Sequence, residues 1–310
     1  MPLDPHVQRF LDMMALGAGA GREVVARRES LRGLARLAGG GSDAVATRDF
    51  DMPGPGGPLA LRLYAPVDAV DPGPALVFLH GGGLVTGDLD THDAICRVLA
   101  EAGAVRVVAV DYRLAPEHAF PAALEDALAA TRFVAEQAQT LGIDRDRIGV
   151  GGDSAGAALA ARVCQELRGT ETRIAAQLLV CPVLDAPGTS ASRAAFARGY
   201  FLDEETIVGD VAACGPEAGP DARFGPLRES ALAGLPPARI HVAEYDPVRD
   251  DGARYAERLA GSGVPATLTC HPGMIHFFYG LGRLVPRSRP ILAEIARDVG
   301  ELLRDPDAAG

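Results

Sequence analysis

The pentapeptide Gly-Asp-Ser-Ala-Gly at residues 152–156 constrains this chain more than any other stretch. It follows an apolar run at 147–151 and opens an Ala-rich segment of helical character. A strand, a tight turn and a helix are therefore joined around one serine. Glycines on both sides let the backbone turn where side chains would collide, and such turns commonly hold one residue in strained φ/ψ. Ser154 would then point its hydroxyl off the top of a sheet with a helix N-terminus behind it, the presentation of a serine nucleophile. The competing interpretation is a Gly-rich β–α turn with an incidental serine. With 37 glycines in the chain, the pentapeptide alone does not decide between them.

The surrounding pattern says what sheet this is. Apolar runs at 75–80, 105–110, 148–151, 175–181, 239–244 and 266–271 read as strands, and 59–64 alternates between Pro/Gly turns. Helical patterns occupy 91–102, 121–141, 154–168, 250–262 and about 286–303. Short continuous strands alternating with helices give an α/β fold, a mostly parallel sheet covered on both faces. Two stretches stand outside the alternation. Residues 1–40 read as two helical pieces, with Val7, Phe10, Leu11 and Met14 on one face and Val24, Arg28, Leu31 and Leu34 on another, before glycines 39–41 break the chain. Residues 185–235 are too long for an ordinary connection and carry a short helical piece at 204–213. The expected organisation is an N-terminal helical cap segment at 1–45, a first core part at 46–184, a cap insertion at 185–225 and a second core part at 226–310. Residues 305–310 read as a frayed end.

Composition narrows the function. The 310 residues suit one large domain with a small appendage, and 48% hydrophobic content supplies a core. A net charge of −11 argues against nucleic acid and against anionic membrane surfaces as partners. No apolar run approaches the roughly 18 residues of a membrane span, so stable membrane insertion is not expected. The first residues lack a basic segment followed by an apolar one, which argues against a secretory signal. Five cysteines, odd in number and widely spaced with no C-x-x-C, support neither a metal site nor a disulfide framework. The expectation is a cytoplasmic protein without metal or cofactor.

Ser154 needs a base, and where a serine is presented this way the acid and then the histidine follow along the chain. Of seven histidines, His276 lies after the last strand run, with His271 at the strand end as competitor and His241 alternating with core residues. The acid should follow the preceding strand. Asp246 sits just past that strand, whereas Asp250 and Asp251 read as first-turn acids of the next helix. Donors for a developing oxyanion would come from His-Gly-Gly-Gly at 80–83, where glycines let backbone N–H groups approach a substrate. The candidates are Gly82 and Gly83, with Ala155 after the serine. A phosphate loop is the alternative, but neither G-x-x-x-x-G-K-[ST] nor a G-x-G-x-x-G is present here.

The three separated motifs, His-Gly-Gly-Gly, Gly-Asp-Ser-Ala-Gly and His276, together resemble the hormone-sensitive-lipase-like family of bacterial carboxylesterases. Segments 87–93, 111–118, 120–126 and 245–250 look like the same family, so the resemblance runs from about residue 58 to about 282. It implies an α/β-hydrolase fold with a small helical cap. It also implies a serine carboxylesterase acting on short- to medium-chain acyl esters, with Ser154 as nucleophile, His276 as base and Asp246 as acid. The oxyanion hole would be Gly82, Gly83 and Ala155, and no cofactor would be needed. Residues 111–113 and 117–118 look like a structural support loop. Members of the family are often dimers, which leaves a homodimer open. Ala157 and Phe277 stand where glycine is frequent, which puts the substrate choice in doubt. The expected pocket wall is Leu84, Val85 and Phe277, roofed by Phe10, Met14, Phe196, Tyr200 and Phe201. An arylformamidase or amidase on the same residues is the alternative, and a non-catalytic small-ligand module a remoter one.

Overall fold

The computed structural model describes residues 2–16, 23–39, 42–216, 218–219 and 221–305. Glycines 40 and 41, and residues 306–310, which carry part of the expected chain break and frayed end, lie outside them. Two N-terminal helices, α1 (Pro5–Leu16) and α2 (Val24–Ala38), precede a hairpin of β1 (Val45–Gly54) and β2 (Gly57–Pro66). The alternating part then runs β3 (Gly73–Leu79), α3 (Asp93–Gly103), β4 (Arg106–Val110), α4 (Ala122–Glu136), β5 (Ile143–Asp153), α5 (Ala155–Leu167) and β6 (Ala176–Val180). After the short helices α6 (Ala191–Ala195) and α7 (Glu204–Ala213) come β7 (Ala238–Tyr245), α8 (Arg249–Gly261), β8 (Ala266–Ile275) and α9 (Ser288–Arg304).

One sheet takes the strands in the order β1-β2-β4-β3-β5-β6-β7-β8. The β1–β2 and β2–β4 pairs are antiparallel and every other pair is parallel. All seven residues of β3 are buried, as a strand covered on both faces requires. Its side chains divide with period two. Ala75, Val77 and Leu79 join the core beneath α4, α5 and α8, while Leu76 and Phe78 join the core beneath α3 and α9.

The topology fixes where a site must form. From β3 the chain crosses to β4 on one side and later to β5 on the other, so the strand order switches direction at β3. Loops leaving the C-terminal ends of β3 and β5 diverge there and leave a crevice. Residues 80–83 leave β3 and Ser154 leaves β5, so both motifs arrive at that crevice.

Several boundaries differ from the sequence reading. The 121–141 pattern forms a helix only to Glu136 and continues as turns. β8 runs past residue 271 to Ile275. The strand β1 has no apolar alternation to reveal it, because only Val45 and Met52 are buried on this sheet-edge element. Among the described residues, no helix is long and apolar enough to cross a membrane. Cys96, Cys164, Cys181 and Cys214 are buried free thiols, whereas Cys270 is exposed.

Candidate active site

Ser154 sits between β5 and α5 at φ +53 and ψ −119, a conformation a residue with a Cβ adopts only under constraint. Its N–H donates to Val180 O at 2.8 Å and its carbonyl accepts from Val183 N at 3.2 Å, which hold the turn. Gly156 has to be glycine, because a Cβ there would run into the carbonyl oxygens of Leu79 and His80. The glycines of the pentapeptide thus bring α5 against the end of β3.

The loops after β7 and β8 complete the arrangement. His276 Nε2 lies 2.9 Å from Ser154 Oγ, and His276 Nδ1 lies 2.8 Å from Asp246 Oδ2. Asp246 is fully buried, and its Oδ1 accepts the Val248 N–H at 2.9 Å. The buried Cys181 brings its thiol within 4.8 Å of the Asp246 and His276 donor atoms, but those two already hydrogen-bond each other. His271, the competing base, is held elsewhere, 3.2 Å from His241 in a pair that leans on Asp298 of α9. Asp250 and Asp251 face residues 184–192. Asp250 accepts Ser192 N–H at 2.8 Å, and Asp251 accepts the N–H groups of Leu184 and Asp185, each at 3.1 Å.

Residues 80–83 turn beside the serine, with Gly82 at φ +114 and Gly83 at φ +68. Among the described residues no acceptor takes the N–H of Gly82, Gly83 or Ala155, whereas Gly81 N–H donates to Asp153 Oδ1 at 2.9 Å. Asp153 therefore ties the loop after β3 to the end of β5. It also accepts Tyr279 OH at 2.9 Å and faces His92 at 3.4 Å. Burial by itself would raise the Asp153 pKa, but the facing His92, its hydrogen bond and that of Tyr279 outweigh it and hold the carboxyl below its ordinary value. Burial, reinforced by neighbouring His92, pushes His80 down to about 4. His80 stacks on Tyr112 at 4.2 Å, and Tyr112 OH donates to His80 O at 2.6 Å. Gly81 and His92 lie in segments that the resemblance covers with a motif and Tyr279 does not, and their convergence on Asp153 had no sequence signal.

A cavity of about 690 Å³ opens above Ser154 and His276. Leu84, Phe201 and Phe277 line it, as do Met14, Leu202 and Ile207. The N-terminal helices and the insertion both reach it. Val85 and Tyr200 do not. Val85 is buried in the core, its carbonyl accepting from Arg28 Nε at 2.8 Å, because Thr86 and Gly82 turn the chain inward after Leu84. Tyr200 points the other way and stacks on Tyr245 at 5.7 Å, with Phe196 against both. Phe10 lies behind the wall, 5.6 Å from Phe201, which in turn stacks on Phe277 at 5.8 Å. Arg27 and Asp210, not foreseen as site residues, also line the cavity.

A model of families with the α/β-hydrolase fold matches residues 76–280. The chain belongs to the α/β-hydrolase fold, in its hormone-sensitive-lipase-like group of carboxylesterases. Esterase LipI of Mycobacterium tuberculosis is 41% identical to this hydrolase over 290 residues, covering 92% of this chain and 90% of that one. Ethyl acetate hydrolase of Pseudomonas putida is 36% identical over 301 residues, covering 92% and 94%. The solved ester-hydrolase EH1AB1 from the Lake Arreo metagenome superposes with a TM-score of 0.91 at 37% identity, covering 96% of this chain and 98% of that one. This hydrolase is a carboxylic ester hydrolase.

Proposed function

We propose that ester hydrolysis runs through Ser154, His276 and Asp246 and an acyl-enzyme. The observation that carries this reading is the continuous hydrogen-bond chain from Ser154 Oγ to His276 Nε2 at 2.9 Å and from His276 Nδ1 to Asp246 at 2.8 Å. Neutral His276 takes the hydroxyl proton as Ser154 attacks the ester carbonyl. Asp246 holds the tautomer with its proton on Nδ1 and stabilises the imidazolium. The N–H groups of Gly82, Gly83 and Ala155 receive the oxyanion. The imidazolium then protonates the leaving alcohol, and water, deprotonated by the same histidine, releases the acid.

The segments 1–45 and 185–225 act as a cap that sets the size of ester accepted. Met14, Phe201 and Leu202 over the cavity support this, and an apolar chamber of about 690 Å³ suits short to medium acyl chains. The test is a panel of 4-nitrophenyl acyl esters of rising length with wild type and Ser154→Ala. Turnover should peak at short to medium chains in wild type. In folded Ser154→Ala it should vanish for every ester, together with labelling by a fluorophosphonate probe. Retained turnover in that variant would remove Ser154 from the mechanism.

A further inference from the structure

A carboxylate with no part in the proposed reaction stands against the oxyanion loop. Asp210, on α7, is 8% exposed and covers the Cα of Gly83, so that a Cβ on Gly83 would collide with its carboxyl group. Negative charge develops at the Gly83 N–H during acyl transfer. An ionised carboxylate packed on the same residue opposes that charge, and a water-poor cavity screens the repulsion weakly. Among the described residues, one cation meets Asp210. Arg27 of α2, which also lines the cavity, places Nη1 2.6 Å from Asp210 Oδ1.

We propose that Arg27 is a positioning residue of the reaction, which neutralises Asp210 so that the Gly83 N–H acts on the oxyanion without an opposing net charge. The proposal rests on the oxyanion role given to Gly83 above. Burial pushes the Asp210 carboxyl up to about 6 even with Arg27 drawing it down, so at neutral pH and above it is a buried charge relying on its partner. The other titratable groups around it do not take that place. Cys214, which caps the C-terminus of α7, is a thiol pushed up to about 12 by burial and by Asp210 itself. Arg162 and Arg223 on the cavity wall pair with Glu229 at 3.3 Å and Asp221 at 2.7 Å. Asp153, His92 and His276 line the same cavity. Of these, Asp153 and His92 pair with each other, and His276 pairs with Ser154 and Asp246.

A purely structural staple between α2 and α7 would make a different prediction, so pH separates the two. The kcat of Arg27→Met for 4-nitrophenyl acetate is divided by that of wild type at each pH from 6 to 9.5, with both enzymes counted by fluorophosphonate-titratable serine. The division cancels the titration of the shared base. As Asp210 ionises without its partner, the ratio should fall by about tenfold from the acid to the alkaline end. Arg27→Met combined with Asp210→Asn should give a ratio that no longer depends on pH, and Arg27→Lys, which keeps the charge, should stay flat. Should Arg27→Met not fold, Arg27→Gln gives the same readout. A flat ratio in the single variant, or a loss that Asp210→Asn does not relieve, overturns the role of Arg27 and leaves Ser154 in place. A wild type that turns over no ester overturns the catalytic reading itself.

Discussion

Phe277 follows His276 directly and adopts a left-handed φ of +64, where glycine would sit without strain. Strain of about 1–2 kcal/mol is stored there. The ring is 7% exposed and stacks on Phe201, and losing a buried phenyl costs about 3–5 kcal/mol. Burial outweighs strain, so Phe277→Gly should lower the melting temperature while shifting the ester panel toward bulkier acyl groups. A higher melting temperature would show that strain dominates. The two candidate acids separate as sharply. Asp246→Asn leaves a donor facing His276 Nδ1 and should lower kcat by about 10⁴-fold, as in the serine-protease precedent. Asp250→Asn, which touches Ser192 instead, should keep kcat within a few fold. Equal losses in the two variants would contradict the Asp246 assignment. The members of this site were legible because each sits just beyond a strand and chain order ranks them. The Arg27–Asp210 pair was not, since its two residues are distant in sequence and neither belongs to a motif.

At the level of elements, the sequence pattern located the parallel strands well because two-sided burial makes them continuously apolar. It passed over β1, whose exposed residues alternate with nothing. The insertion was visible through its length, but Phe196 and Tyr200, expected in the roof with Phe201, do not line the cavity. Phe196 and Tyr200 pack on Tyr245, whereas Phe201 and Phe224 line the cavity. Loop geometry decides such orientations, and composition does not encode it. Helix α2 is fastened to the core by Arg28, whose guanidinium bonds Glu117 twice at 2.8 Å and the carbonyl oxygens of Val85 and Ala115 at 2.8 and 3.1 Å. Arg28→Ala leaves two carbonyls without that donor and should loosen the helix beside Leu84. Faster amide exchange across α2 and a changed chain-length ranking, with the same kcat profile against pH, are the expected results. Unaltered exchange would show that apolar packing holds α2 by itself.

For the molecule as a whole, buried titratable groups set opposing trends in stability. His80 and His271 are pushed down from 6.5 to about 4, by burial first and by neighbouring histidines. Between those values the unfolded chain binds more protons than the folded one. Their contribution is therefore complete above pH 6.5 and is lost as pH falls toward 4. Asp210 and Asp251, raised by burial from 3.8 to about 6, work in the opposite sense and favour the fold as pH drops through that range. His271→Gln removes one of the first set, so its guanidinium midpoint should fall less than that of wild type between pH 7.5 and 5. A steeper fall would reverse the sign assigned to His271. The two segments that reach the cavity have a consequence of another kind. One before the sheet and one within it, they meet through Arg27 with Asp210 and Phe10 with Phe201. A recombination breakpoint anywhere between residues 27 and 210 would take one segment from each parent. Where the parents differ at these positions, the offspring would carry an acid without its cation or a ring without its neighbour, so these segments are expected to be inherited as a unit although most of the enzyme lies between them.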